Sequence, residues 1–441
     1  MAPQSTFQKL AVPAQADSQK ACFPRQPHTV GEAGLNFLFL IELLAKILFL
    51  RGQLRLADLT AHTRLSVGVL EPLLAFMRTE RLCEVSRSSG AETATTFTLT
   101  ELGRLRAHDF LQNSQYAGPA PVSLQSYVEQ VRKQSVVDMQ VTRENLQQAF
   151  GGVVVKARIL KQFGAAMNSG RAIFVYGPAG TGKTFISEKL AGLLSGNVAI
   201  PHAIVVDSEV IQVFDPLVHD VVVVEGEDNS SLDRRQTLDA RWVLCRRPVV
   251  KAGGELSLDM LDLDFDQTAK FYQAPPQVRA NNGLLLIDDL GRQLTPALDI
   301  MNRWIIPLDR HLDYLALHTG KKFMIPFDVI VVFSTNLPPK QLADEAFLRR
   351  LGYKIYIGVL DEEEYRAISR QVCDELNIPY SEQGLEYLLR EHHYKEDKPL
   401  LACMPKDILG QVRDIARYEG VQPELSEELL DWAWNNYFTN D

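Results

Sequence analysis

Gly177-Pro178-Ala179-Gly180-Thr181-Gly182-Lys183-Thr184 follows the apolar run Ala172-Ile173-Phe174-Val175-Tyr176 and precedes a helix-like run from Phe185 to Leu194. A strand that feeds a glycine-rich loop and then a helix start is a cradle for phosphate. Glycines let backbone N–H groups converge on anionic oxygens with no Cβ in the way. In such a cradle Lys183 reaches the β- and γ-phosphates of a nucleotide, and Thr184 offers its hydroxyl to Mg²⁺.

Working outward, Leu284-Leu285-Leu286-Ile287-Asp288-Asp289 is an apolar strand that ends in two carboxylates. That pattern suits Asp288 to a Mg²⁺ ion and Asp289 to orienting an attacking water. Further on, Val331-Val332-Phe333-Ser334-Thr335-Asn336 is a second apolar strand, ending in a polar amide.

These motifs, in this order, resemble the AAA+ ATPases, the ring-forming branch of the P-loop NTPases. The resemblance covers residues 146–438. It makes 177–184 the Walker A element and 284–289 the Walker B element, with ATP and Mg²⁺ as ligands. Asn336 then corresponds to sensor 1, with Arg350 as the arginine finger supplied to a neighbouring subunit and Arg349 as the reserve choice. Lys406, in Met404-Pro405-Lys406-Asp407, corresponds to the sensor 2 position, where the family usually has arginine. The family also usually ends Walker B in Asp-Glu, whereas this chain has Asp288-Asp289, and the shorter carboxylate points to slow or assembly-dependent hydrolysis. Residues 303–324 hold a helix ending near His311 and a hairpin pattern around Thr319-Gly320-Lys321, similar to the pre-sensor 1 hairpin of MoxR-like chaperones and bacterial enhancer-binding activators. Arg292 and Arg303 are candidates for subunit contacts or for structural ion pairs.

The patterns predict an α/β P-loop core with a helical lid, preceded by a winged helix-like domain. Residues 1–30 read as a flexible arm, 31–112 as the winged helix-like domain and 113–145 as a linker. Residues 146–358 read as the nucleotide-binding core and 359–441 as the lid. Within 31–112, helices are expected over 35–50, 56–60, 67–79 and 101–112, with strands over 82–85 and 95–99 around a polar turn at 86–92. Core strands are expected over 173–176, 203–206, 284–287, 329–333 and 354–357, and lid helices over 362–376, 381–393, 406–417 and 426–436. The long interval between Lys183 and Asp288 predicts an added hairpin or loop. Its His219 and the acidic Glu225, Glu227 and Asp228 read as a solvated loop rather than a metal site.

Composition narrows the functional classes. The formal net charge is -9, which argues against coating nucleic acid through bulk charge. Residues 31–108 carry nine Lys and Arg against eight Asp and Glu, so the winged helix-like domain fits protein docking better than duplex DNA. The five cysteines, Cys22, Cys83, Cys245, Cys373 and Cys403, form no CxxC pair, and a reducing cytoplasmic setting follows. The apolar stretch 35–50 is short for a membrane span and carries Glu42 and Lys46. The expected function is ATP-driven remodelling or assembly of a protein client by a homo-oligomer, a hexameric ring. The alternatives are a DNA-linked regulatory ATPase and a structural nucleotide-binding oligomer that hydrolyses little.

Overall fold

The computed structural model describes residues 23–87, 95–222, 238–342 and 345–438. The chain divides into two compact units, each assembled from three segments. Unit 2 comprises residues 135–195, 248–263 and 275–441. Unit 1 comprises residues 1–134, 196–247 and 264–274.

Unit 2 is organised by a parallel sheet of β1 (Ile173–Tyr176), β2 (Val249–Ala252), β3 (Gly283–Ile287), β4 (Val329–Thr335) and β5 (Tyr353–Tyr356), in the order β2-β3-β4-β1-β5. Every residue of β3 and β4 is buried. A parallel sheet covered on both faces requires that continuity, which is why these strands read as unbroken apolar runs rather than alternating ones. After β1 the chain crosses to the far edge, returns through β3 and β4, and places β5 on the other side of β1. Such a reversal opens a crevice beyond the carboxyl ends of the strands. The loop after β1, the carboxylates after β3 and the amide after β4 all lie at those ends.

The lid helices of unit 2 form their own core. Helix α2 (Glu362–Leu376) begins with a reciprocal capping box between Asp361 and Glu364, which satisfies orphan N–H groups at the helix start. Helices α3 (Met404–Glu419) and α4 (Glu427–Tyr437) complete the cluster around Tyr365, Leu389, Val412 and Trp434. The single helix expected over 381–393 is instead an α-helix, Glu382–Tyr387, continued by a π-helical segment, Leu388–Tyr394. The wider turn accompanies two consecutive buried histidines, His392 and His393.

Unit 1 holds helices Phe37–Arg51, Leu56–Thr63, Val67–Thr79 and Glu101–Asn113. With them is a three-stranded antiparallel sheet in the order Leu54–Arg55, Thr95–Leu99, Cys83–Arg87. The polar turn expected at 86–92 lies mostly outside the described residues. Phe37–Arg51 is 15 residues long and sends Leu40, Leu44 and Ile47 into the core. Its Lys46 is also buried, and Nζ donates to the Ser114 carbonyl at 3.2 Å. Burial pulls the Lys46 pKa down to about 8, with Glu42 acting in the opposite sense. Among the described residues no helix is long and apolar enough to cross a membrane.

Two parts of the sequence-derived organisation are corrected. Residues 113–145 are not a plain linker, because Val122–Ser123 is a strand and Leu124–Lys133 a helix. Val122–Ser123 pairs with Ala203–Val206, which is therefore not a strand of the parallel sheet. Ala203–Val206 belongs to a five-stranded mixed sheet of unit 1, with Glu209–Gln212, Tyr272–Gln273 and Asp264–Phe265 completing the order. The fifth strand of the parallel sheet is instead β2, Val249–Ala252. The residues added between Lys183 and Asp288 thus enter unit 1, where Ala203 and Val210 share one apolar core with Leu40, Leu70 and Met77.

Candidate functional site

The loop after β1 is shaped by close backbone approaches. Gly177 has φ 150°, and a Cβ there would lie 1.9 Å from the Ile357 carbonyl oxygen. Gly180 has φ 77°, and a Cβ there would lie 2.7 Å from Cys403 Sγ. The first contact seats the loop against the chain leaving β5, and the second seats it against the lid. The Cys403 N–H also donates to the Gly180 carbonyl at 3.0 Å. Gly182, at φ 85°, leads into helix α1 (Lys183–Lys189).

Within the loop, Thr181 Oγ1 and Lys183 Nζ both donate to the Pro178 carbonyl, at 2.9 and 2.7 Å. Lys183 is buried. Its pKa lies below the ordinary lysine value because burial disfavours the ammonium, while Asp289 and Asp288 pull it back up. Both carboxylates therefore act electrostatically on the lysine of the loop. Asp289 sits just beyond β3 with φ 49°, and its Oδ1 accepts from Asn336 Nδ2 at 3.3 Å. The Asp289 N–H donates to Asp288 Oδ1 at 3.0 Å.

These groups face a cleft of about 1080 Å³ within unit 2. Ala179 to Thr184, Asp289, Arg292, Asn336 and Lys406 line it, with Val155, Ile159, Tyr356 and Ile368 among its apolar walls. Gly177, Pro178 and Asp288 do not line it, and Asp288 adjoins the lining residue Asp289 through the hydrogen bond just described. Arg349 and Arg350 are not among the lining residues. Arg350 Nε stands 4.0 Å from Asp309 Oδ1. Glu225, Glu227 and Asp228 lie outside the described residues, and no group of three or more His, Cys, Asp or Glu that could hold a metal is found among the described residues. His219 is buried in unit 1, and its Nδ1 accepts from the Asp215 N–H at 2.9 Å.

Arg303 is a structural ion pair, the second of its two readings. Its guanidinium reaches Asp313 at 2.6 and 3.1 Å and Asp262 at 3.5 Å. The hairpin Leu312–Ala316 with Lys322–Pro326 is present in the expected place.

The sequence gives no signal for the apolar walls of the cleft or for the lid contact at Cys403, because neither has a motif. Gln293 also passes unnoticed as an ordinary polar residue after a turn, although its amide makes three hydrogen bonds below the carboxylates.

The profile of a domain of unknown function, DUF8689, matches residues 361–436, the lid helices. No curated protein matches the chain. Among solved structures, NtrX from Brucella abortus in complex with ADP matches with 12% identity and a TM-score of 0.40, over 67% of this chain and 58% of that one. The same protein in complex with ATP matches with 12% identity and a TM-score of 0.38, over 75% and 62%. The Thermotoga maritima RuvB Holliday junction branch migration motor matches with 11% identity and a TM-score of 0.36, over 68% and 71%. The chain spans less than two thirds of the NtrX chains. Likeness at these scores carries no functional argument, so the reading of the cleft rests on its own geometry.

Proposed function

We propose that this chain binds and hydrolyses ATP as an oligomeric AAA+ ATPase and uses the cycle to remodel or assemble a protein partner. The observation that carries the reading is the meeting of Lys183, Asp289, Asn336 and Lys406 on one cleft beyond the strand ends. A buried ammonium beside a glycine-rich loop suits phosphate, and apolar walls suit a nucleobase. Asp289 would orient the attacking water and accept its proton, with Asn336 hydrogen-bonding the γ-phosphate or the water. Lys406, at the start of α3, would bring a second positive charge to the phosphates from the lid. The all-oxygen donor set of Thr184 and Asp288 fits Mg²⁺, which would neutralise charge on the phosphate oxygens.

Arg350, outside the lining of its own cleft, suits an arginine that completes a neighbour's site, with Arg349 as the alternative. On this reading the active species is a ring of identical subunits, a hexamer. The helix–strand–helix–helix–strand–strand–helix order over 37–113 supports a winged helix-like domain. Its near-neutral charge favours a protein client over duplex DNA. The free cysteines Cys83, Cys245, Cys373 and Cys403 suit a reducing compartment, and we assign the protein to the cytoplasm.

The test is steady-state ATP turnover measured across protein concentration. Turnover per subunit should rise with assembly, and Arg350→Ala should reduce it about a thousandfold. Turnover that is independent of concentration, or unchanged in Arg350→Ala, removes the shared site. A pull-down with Asp289→Asn, which should bind ATP without hydrolysing it, would identify whether the retained partner is a protein or duplex DNA.

A further inference from the structure

The turn that carries Asp289 is pinned from two sides by side chains outside the motifs. On one side stands Gln293, whose residue is only 9% exposed. Its Oε1 accepts from the Gly291 N–H at 2.8 Å. Its Nε2 donates to the Asp288 carbonyl and to the carbonyl of Gly253, just past β2, each at 3.2 Å. One buried amide thus joins the end of β2 to both flanks of Asp289.

On the other side stands Thr335, fully buried at the end of β4. Its hydroxyl donates to the Leu290 carbonyl at 2.7 Å and accepts from the Leu337 N–H at 3.1 Å. The Leu290 N–H donates to the Ser334 carbonyl at 2.8 Å. The hydroxyl therefore fixes the residue after Asp289 and the residue after Asn336 at the same time. Those are the two groups whose side chains meet at 3.3 Å.

The aspartate makes this framework consequential. An aspartate carboxylate has one fewer side-chain torsion than a glutamate carboxylate, so its position follows the main chain more closely. Here that main chain is in the left-handed region, at φ 49° for Asp289, followed by Gly291 at φ 103°. A non-glycine residue in that region holds its place when neighbouring interactions over-determine it. Gln293 and Thr335 supply those interactions.

We propose that Gln293 and Thr335 are positioning residues that hold the Asp289 carboxylate against the Asn336 amide for hydrolysis. This rests on the ATPase reading and extends it to two residues that touch no substrate. The full-length protein is assayed at a concentration where wild-type turnover is maximal, comparing Gln293→Ala, Gln293→Glu, Thr335→Val and Thr335→Ser. A displaced reacting group costs on the order of a hundredfold in rate, so Gln293→Ala and Thr335→Val should lower kcat by about tenfold to a hundredfold. Binding of a non-hydrolysable ATP analogue should stay within about threefold of wild type, since only the rate-determining geometry is lost. Thr335→Ser, which restores the hydroxyl, should recover most of the rate. Gln293→Glu keeps an acceptor for Gly291 but turns a carboxylate oxygen toward the Asp288 and Gly253 carbonyls, so its kcat should fall at least as far as in Gln293→Ala.

Wild-type kcat in Gln293→Ala, or analogue affinity falling in step with kcat in Thr335→Val, overturns the inference. If Gln293→Ala does not fold, the isosteric Thr335→Val and its serine rescue decide the matter. If the wild-type protein binds ATP and never turns it over, the ATPase reading fails instead. Amide exchange in the nucleotide-free protein, at Gly291 in Gln293→Ala and at Leu337 in Thr335→Val, then separates the two failures: faster exchange than wild type shows that these side chains hold the turn, and unchanged exchange shows that they do not.

Discussion

Within each of the two units, different physics dominates. Unit 2 is centred on a parallel sheet whose strands β3 and β4 are buried throughout. Its stabilisation is spread over many buried side chains, each contributing roughly 1.5–3 kcal/mol. Unit 1 also has an apolar core, but two of its segments, 1–134 and 196–247, meet at a buried ion pair. Arg241 and Asp239 have side chains 5% and 2% exposed and are joined at 2.8 Å. The same guanidinium donates to the carbonyls of Ala33 and Pro121, at 2.9 and 3.3 Å. One side chain from the inserted segment thus satisfies backbone acceptors at both ends of the N-terminal region. Spread-out apolar burial tolerates the loss of one group, whereas a pair of this kind concentrates the cost of its loss at one position.

The largest expected effect follows from that contrast. Arg241→Ala leaves Asp239 buried without its partner and two carbonyls without their donor. Breaking one side of a buried pair destabilises by about 3–5 kcal/mol. Chemical denaturation should report that loss, with faster amide exchange in both 23–134 and 196–247. A double variant, Arg241→Met with Asp239→Leu, removes the stranded charge and should recover part of the stability. Wild-type exchange in both segments of Arg241→Ala would break the comparison.

Next in size is Lys183→Ala. Lys183 is buried with a depressed pKa, so its removal relieves a desolvated charge and should leave folding intact. Loss of its contact with phosphate should weaken ATP by at least about a hundredfold, or roughly 2.8 kcal/mol. Isothermal calorimetry checks this directly. Unchanged affinity would mean that the cleft does not use the loop for phosphate.

The contrast between the units also explains what the sequence discloses. Residues 173–176, 284–287 and 329–333 announce themselves because a strand buried on both faces reads as a continuous apolar run. Gly177–Thr184, Asp288, Asp289 and Asn336 are legible because each follows such a strand directly. Ala203–Val206 has the same local composition, yet it pairs with Val122–Ser123 some eighty residues earlier. Composition does not encode which sheet a short apolar strand joins. Residues 124–133 read as polar linker because only one face of that helix is buried, through Tyr127, Gln130 and Val131. Gln293 and Thr335 are invisible for a related reason: their roles consist of hydrogen bonds to main-chain groups of other segments.

The smallest effect concerns pH, and it returns to the difference between spread and concentrated stabilisation. His393 of the lid is fully buried between Tyr365 and Trp434, with ring centroids 4.9 and 4.8 Å away. Its Nε2 lies 2.9 Å from Tyr365 Oη and its Nδ1 3.4 Å from the Lys398 carbonyl oxygen. Those partners suit a neutral ring that donates through Nδ1 and accepts through Nε2. Burial pulls its pKa down from 6.5 to about 4. Between those values the unfolded chain binds a proton that the folded lid refuses, so stability falls as pH drops and is fully present above about 6.5. The loss should be on the order of 2 kcal/mol once local relaxation lets water reach the charged ring, at about 1.4 kcal/mol per pKa unit. Urea unfolding of unit 2 between pH 7 and 4 should show this slope, and His393→Gln, which removes the titration, should flatten it. An equal slope in the variant would place the acid sensitivity elsewhere. In unit 1, His202 is depressed to about 4 by burial and, secondarily, by Arg64. His202→Gln is the matching variant there, so the pair of substitutions assigns the acid response of each unit to one imidazole.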